Sequence, residues 1–515
     1  MSRLKNQEIL DRDAALLRKM GYRQELARAM SGFSNFAISF TIISVLSGCL
    51  TLFGFGLTAS GTTAASIGWP IVSILVMSVA LAMAEISSSF PTAGGLYYWA
   101  SKLGGPGWGW FTAWFNLIGQ IAVTAGIVYG NAIFVDALLN QFIPAFPSAG
   151  EAGIVATLVI YAVLLVVQLL LNLLGENVVS LLNTISAWWH LVGVAVIVGA
   201  LLIFAPLHPH PLQFAFMTGH SQTGFPDWYG FLIGLLLAQY TFTGFDASAH
   251  VSEETVDAER AAPRGIIMSV AISAIAGYVL LMGLVVAIPD LGTTMGASNP
   301  VLYILTTRLG ASVGTALFII AVVAQFFCGT ASITSNSRMI YAFARDKGMP
   351  FSDVWHKINK ETHVPKNAIL LAVILAFILA LPALWSTVIY AAVTSISTIG
   401  LFVAYAIPVF LRRLHPERFT PGVFRLGRWS AFIGWFAVVW VVFICILFML
   451  PTMRPITASN FNFTPLVLLI VFVLLVPWYL LSVRHWFKGP VSEFAPADAP
   501  HATPIHRGGT LPADN

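Results

Sequence analysis

Residues 239–255 read QYTFTGFDASAHVSEET. They close an apolar run long enough to cross a bilayer, yet they hold a Gly between two Phe, then Asp246, His250, Glu253 and Glu254. Elsewhere the chain avoids charge. Of its 515 residues 57% are hydrophobic and only 9% charged, with a mean hydropathy of +0.83. A soluble domain gives about a quarter of its residues to charge. Polarity crowded at the end of one apolar run therefore marks a departure from a plain membrane helix.

Working outward, a bilayer core of roughly 30 Å takes about 20 helical residues. No charged residue lies between Phe33 and Ala84, and the Gly/Ser/Thr-rich stretch TASGTTAASIG divides that run into two spans. Further apolar runs fall at about 107–138, 153–174, 178–205, 228–252, 265–288, 311–337, 367–383, 386–411, 429–450 and 464–483. The sequence thus predicts an all-α integral membrane protein with 12 transmembrane helices. If the chain starts in the cytoplasm, only Arg308 and Arg454 of the 26 Lys and Arg lie outside. The rest fall in the two tails or after spans 2, 6, 8 and 10, the positive-inside pattern. Both termini are then cytoplasmic and the expected location is the plasma (cell) membrane. The net charge of +4 reflects this topology and implies no nucleic-acid partner.

Residues 1–32 read as a cytoplasmic, partly amphipathic segment without the apolar core of a signal peptide. Cys49, Cys328 and Cys445 all lie in spans, so no disulfide framework is expected. Residues 486–515, rich in Pro and Ala, are expected to be a disordered cytoplasmic tail.

Irregular backbone inside a membrane is tolerated only against protein or a water-filled cavity. Span 1 places Ser44, Ser47 and Gly48 at its middle, and span 6 places Thr241, Thr243 and Gly244 similarly. Taken singly, either set suits ordinary close packing of helices. The two lie five spans apart, however, and matched interruptions in two halves point to an inverted-repeat transporter. On that reading 33–205 is the first five-helix repeat, 206–227 an extracellular loop and 228–411 the second repeat, while 412–485 holds two appended helices.

Three motifs carry a family resemblance. GFDASAHVSEETVDAERAAPRGI at 244–266 resembles the sixth-helix motif of the amino acid–polyamine–organocation superfamily. AEISSSFPTAGGLYYW at 84–99 resembles its link between helices 2 and 3, and SRMIYAFARDKGMP at 337–350 its helix 8 ending. MGYRQELARAMSGFSNFAISF at 20–40 is similar to the opening segment of the amino acid/choline transporter branch, which includes GABA and choline permeases. The resemblance covers about residues 20–485. It implies a LeuT-type 5+5 inverted repeat with helices 1 and 6 broken mid-membrane, and secondary active transport.

A broken helix exposes N–H groups at one new end and carbonyls at the other. SVLSGC at 44–49, with Ser44, Ser47, Gly48 and Cys49, is expected to hold a carboxylate on its N–H groups. Tyr240, Thr241, Phe242, Thr243, Gly244 and Phe245 are expected to supply carbonyls to an amine. A small zwitterion fits that pair of ends, with a GABA-like ω-amino acid as first choice. Phe242 and Phe245 either cover the substrate or face lipid, and as an aromatic cage they keep choline or another organic amine open as the alternative. By resemblance, Gly119 and Gln120 line the substrate cavity; as plain sequence, Gln120 suits helix–helix adhesion equally well.

Asp246 follows the break, where a carboxylate would cap the second half-helix; contact with a substrate ammonium is the sharper reading. Glu253 and Glu254 close span 6, either as a gate paired with Arg260 and Arg264 or as a solvated helix end. Glu85 reads as an interfacial structural residue, and Trp108, Trp110 and Trp114 as an interfacial belt. Proton-coupled relatives place a Lys of helix 5 against the break in helix 1, where sodium sits in sodium-coupled members. Aligned on Asn183, His190 falls at that position, so a proton is the expected coupling ion, with sodium open as the other. The plain reading of His190 is a neutral imidazole in a helix interface. The spans hold no HExxH motif, and no metal ligand set, catalytic residue or cofactor is expected. A channel or receptor would fit the hydropathy but predicts no matched breaks.

Overall fold

The computed structural model describes residues 2–143, 145–147, 150–204, 210–217, 219–384, 389–457 and 460–490. The regular structure among the described residues is helical, with one isolated β-bridge, between Met30 and Thr255. The expectation of a disordered tail falls mainly on residues outside the described set.

Eleven described helices are long and apolar enough to cross a membrane. The predicted span at 228–252 is absent from that number because the chain there is cut into short pieces. In order, α1 (Ser2–Lys19) precedes the first apolar segment, which divides into α2 (Gly32–Ile43), α3 (Val45–Thr51) and α4 (Phe53–Ser60). Then come α5 (Trp69–Ser89), α6 (Gly95–Gly104), α7 (Pro106–Phe142), α8 (Gly150–Leu173), α9 (Glu176–Phe204) and the short α10 (Gln213–Met217). The broken segment is α11 (Asp227–Gly234), α12 (Leu236–Thr241) and α13 (Ala247–His250). The remainder is α14 (Ala258–Val286), α15 (Leu291–Gly296), α16 (Pro300–Leu309), α17 (Ala311–Arg345), α18 (Ser352–Trp355), α19 (Lys366–Ala380), α20 (Ile389–Leu414), α21 (Ser430–Leu447) and α22 (Thr464–Trp478).

Sequence logic accounts for several ends. Gly61, at φ 60, ends α4 inside the stretch that was expected to divide the first run. Ser31 starts α2 by accepting from the Ser34 N–H, and Asn299 starts α16 by accepting from the Leu302 N–H. Two helices outrun their predicted spans because charged residues lie on them. Helix α14 begins before Arg260 and Arg264, and α17 continues through Arg338 to Arg345. Arg338 is fully buried, so it belongs to the bundle and not to a loop of basic residues.

The inner helices are α2–α3, α12–α13, α5, α7, α14, α17 and α20: α20 packs on α7, α14 on α5 and α2, and α17 on α7 and α9. Residues 20–30 run beneath this core, where Tyr22 donates to Asp346 at 2.8 Å and the Met30 N–H donates to the Glu254 carbonyl at 2.9 Å. Burial pushes the nearby Asp13 carboxyl up, against the pull of the Asp257 N–H and of Arg28. The core thus places the two interrupted segments side by side.

Candidate functional site

Helix α2 stops at Ser44, whose backbone is left-handed (φ 37, ψ 83). That conformation is rare for a residue with a Cβ and persists only where the surroundings hold it. Here the holder is a hydrogen bond of 2.6 Å between Ser44 Oγ and His190 Nε2. The other ring nitrogen of His190 lies 2.8 Å from the Ser186 carbonyl. A carbonyl only accepts, so Nδ1 carries a proton and Nε2 of the neutral ring accepts from the Ser44 hydroxyl. Helix α9 thereby fixes the break through a side chain. On the same segment the Cys328 thiol donates to the Ile42 carbonyl at 3.2 Å. Val45 and Leu46 form the first turn of α3, where N–H groups have no partner within the helix.

The second break turns at Gly244, which has φ 92 and sits against Ile42 so tightly that a Cβ would stand 2.1 Å from Ile42 Cγ2. Only glycine fits there, on both counts. The two breaks therefore touch. Ser39 joins them further, donating to the Phe245 carbonyl at 2.9 Å and accepting from the Ser248 N–H at 2.9 Å. Several carbonyls expected to face an amine are already taken. Thr243 Oγ1 donates to the Tyr240 carbonyl at 2.7 Å, and the Ala247 N–H to the Gly244 carbonyl at 3.2 Å.

Asp246 occupies the N-cap position of α13, but its side chain accepts no N–H of that helix. This corrects the capping expectation. The carboxylate is fully buried and turns across the bundle, where four side chains meet it. Oδ2 accepts from Asn116 Nδ2 at 3.1 Å and from Gln120 Nε2 at 3.0 Å, and it lies 3.1 Å from His250 Nε2. Oδ1 accepts from the Tyr405 hydroxyl at 2.7 Å, which itself accepts from the Gly244 N–H at 3.2 Å. Gln120 thus reaches the break through Asp246. Gly119 does not face the break: it lies in the crossing of α7 and α20, where a Cβ would stand 2.7 Å from the Leu401 nitrogen.

The glutamates after the break are paired, though not with Arg260 and Arg264. Glu253 meets both terminal nitrogens of Arg345 at 3.1 Å and accepts from the Ala93 N–H at 3.0 Å. Glu254 accepts from Arg338 Nε at 2.8 Å, and Arg338 also pairs with Glu176. Partners on α17 displace the nearer arginines in sequence because α14 points those outward. Glu85 is buried with Arg412 and accepts from the Ser430 hydroxyl at 2.7 Å, which fits its structural reading.

The aromatic residues settle inward. Phe242 packs on Trp69 with centroids 4.8 Å apart, and Phe245 on Tyr405 at 4.7 Å; both are buried, so neither faces lipid. Of the three tryptophans at the start of α7, only Trp108 is exposed, while Trp110 donates to the Gly348 carbonyl. Sequence reading gave Tyr240 a backbone role only and missed Tyr390, whose hydroxyl lies beside that of Tyr240. Both hydroxyls are buried, and that of Tyr390 also lies near Thr51. A Cβ on Gly126 would stand 2.8 Å from the Tyr240 hydroxyl, and one on Gly130 would stand 3.0 Å from that of Tyr390. Tyr390 also lines a cavity of about 230 Å³ that opens among Phe55, Thr58, Ser395, Asn460 and Asn462. A tyrosine in a membrane run gives no periodic signal, and small residues at Gly126 and Gly130 are the only trace of it.

The letters GASVG at 310–314 match a G-x-S-x-G pattern. They begin helix α17 after helix α16, with Ser312 exposed, and lack the strand–turn–helix setting that gives the pattern its chemistry.

Comparison with known proteins agrees with this architecture. The profile of the amino acid permease family matches residues 30–474. Amino-acid permease BAT1 of Arabidopsis thaliana is 41% identical over 507 residues, covering 94% of this chain and 97% of its own. Its homolog in Oryza sativa subsp. japonica is 40% identical over 501 residues, covering 94% and 96%. Amino-acid permease 2 of Neurospora crassa is 25% identical over 492 residues, covering 93% and 89%.

Proposed function

The chain belongs to the amino acid permease family of the amino acid–polyamine–organocation superfamily, and from that premise we propose that it is a secondary active carrier importing a small amino acid, GABA-like first, by alternating access. The observation that carries this reading is the contact of Gly244, at one break, with Ile42, two residues before the other break at Ser44. On this reading the broken segment 227–254 is the sixth of 12 crossings, and spans 1–5 and 6–10 form the two halves of a LeuT-type 5+5 repeat. Both termini then lie in the cytoplasm and the protein resides in the plasma membrane. Val45 and Leu46 N–H groups receive the substrate carboxylate. The carbonyls of Thr241, Phe242 and Thr243 receive the amine, since their neighbours are engaged. The cavity that Tyr390 lines is the outer vestibule, and the pairs Glu253–Arg345 and Glu254–Arg338 close the cytoplasmic side.

Proton coupling runs through His190. A neutral His190 accepts from Ser44, whereas a protonated one donates to it and turns the hydroxyl toward the gap. Protonation thus changes the donor set at the break without moving the backbone. The test is uptake into proteoliposomes across a panel of GABA, α-amino acids, choline and putrescine, with and without an inward proton gradient. Proton-stimulated uptake of a zwitterion without sodium supports the reading; uptake of choline alone defeats the zwitterion, and strict sodium dependence defeats the role of His190.

A further inference from the structure

We propose that the furrow between α2 and α14 binds an anionic glycerophospholipid. The furrow holds about 480 Å³, with Phe33 and Phe36 on one wall and Arg260, Arg264, Met268 and Ile272 on the other. The last four are spaced by four residues on α14, so they form one stripe. Over 12 residues, about 18 Å at 1.5 Å per residue, that stripe changes from two guanidiniums to two apolar side chains. A phospholipid has the same order of parts: a charged head, then a chain.

The head end has charge to give. Arg264 is exposed and makes no hydrogen bond or ion pair among the described residues. Arg260 is 47% exposed and lies 3.7 Å from Asp257, whose carboxylate is engaged more closely by Arg12. Glu259, the other acid at this end, also faces Arg12, at 3.4 Å. Arg12, Arg260 and Arg264 outnumber Asp257 and Glu259 by one charge, so the unpaired Arg264, with Arg260 one turn away, remains for a phosphate, which guanidinium binds in bidentate fashion. Between the two walls, at the level of the arginines, the floor is built from small residues. Gly32 faces Ala261 at ordinary contact distance, and a Cβ on Gly265 would stand 2.4 Å from Asn35 Oδ1. A free anion would use only the arginines, and a neutral lipid only the apolar half. An anionic lipid uses both, as basic pockets between membrane helices do. Once bound, it ties α14 to α2, the helix that ends at Ser44.

The test is thermal unfolding of the full chain in detergent with added phosphatidylglycerol, phosphatidylcholine or inorganic phosphate. Phosphatidylglycerol is expected to raise Tm more than either of the others. Arg260→Gln/Arg264→Gln, altered only at exposed side chains, is expected to bind it on the order of tenfold more weakly. Met268→Trp, which fills the apolar half and keeps the charges, is expected to weaken it too. Equal shifts from phosphatidylcholine, an undiminished preference in the double variant, or a full shift from phosphate alone would each overturn the proposal. No transport is measured, so such an outcome leaves the permease reading standing.

Discussion

Gly48 of α3 lies so close to Thr241 of α12 that a Cβ on Gly48 would stand 2.5 Å from Thr241 Oγ1 and 2.9 Å from Thr241 Cα. The glycine is thus a contact between the two broken segments, beyond any space it leaves for a substrate. Gly48→Ala is expected to cost about 1–3 kcal/mol through overpacking. Gly48→Leu is expected to abolish uptake while the protein still reaches the membrane. Because part of the clash is with a side chain, Thr241→Gly in the Gly48→Ala background is expected to return part of the lost stability. A double-mutant cycle by thermal unfolding reads this, and additive losses would show that the two residues are not the coupled pair.

A second expectation concerns Glu253 and Arg345, both buried and joined twice at 3.1 Å. Arg345→Gln leaves a buried carboxylate with only the Ala93 N–H and is expected to cost about 3–5 kcal/mol. Exchanging the charges, Glu253→Arg with Arg345→Glu, is expected not to restore uptake, since Ala93 would then face a donor. Full recovery in the exchange variant would reduce the pair to simple attraction.

Much of this arrangement was legible before the structure, for physical reasons. Uncharged runs of bilayer length gave the helices, and Gly61 and Gly244 marked turns that residues with a Cβ resist. Partner identity was less legible. Arg338 and Arg345 read as loop residues after span 8, yet a helix carries them into the bundle because Glu176, Glu254 and Glu253 neutralise them there. Glu253 and Glu254 were paired with Arg260 and Arg264 because those are near in sequence, and sequence distance does not show which face of α14 points inward. Asp246 gave its place at the break but not its partners, which come from α7 and α20, more than 100 residues away on either side. The hydroxyls of Tyr240 and Tyr390 left only the small residues opposite them, Gly126 and Gly130, as a trace.

The bond between Ser44 and His190 leads to a third expectation. His190→Gln keeps a polar group near Ser44 but cannot gain a proton, so uptake is expected to lose its dependence on pH. Ser44→Ala removes the same bond from the other side. It is expected to weaken substrate binding by about 1 kcal/mol while the pH dependence is blunted. Uptake measured against pH in the three proteins decides the matter. An unchanged profile in His190→Gln would leave the imidazole as a structural support for a left-handed serine.

The last expectation comes from counting protons between Asp246 and His250. Nδ1 of His250 lies 3.2 Å from the Ala93 carbonyl and Nε2 lies 3.1 Å from Asp246 Oδ2. The carbonyl demands a donor, so Nδ1 is protonated and Nε2 must either donate to a carboxylate or accept from a carboxylic acid. Asn116, Gln120 and Tyr405 all donate to Asp246, which favours the carboxylate and places the shared proton on His250. The pair is then neutral as a whole and fully buried. His250→Gln removes the positive charge and leaves a lone buried carboxylate, a change worth about 3–5 kcal/mol. A proton from solution relieves that charge, so the variant is expected to recover stability relative to the parent as pH falls. Adding Asp246→Asn removes the charge outright, and the double variant is expected to be more stable than His250→Gln at neutral pH. Unfolding temperatures for the parent and both variants, taken across the pH range, provide the measurement. A deficit in His250→Gln that does not change with pH would mean that Asp246 already carries the proton and that His250 is the acceptor.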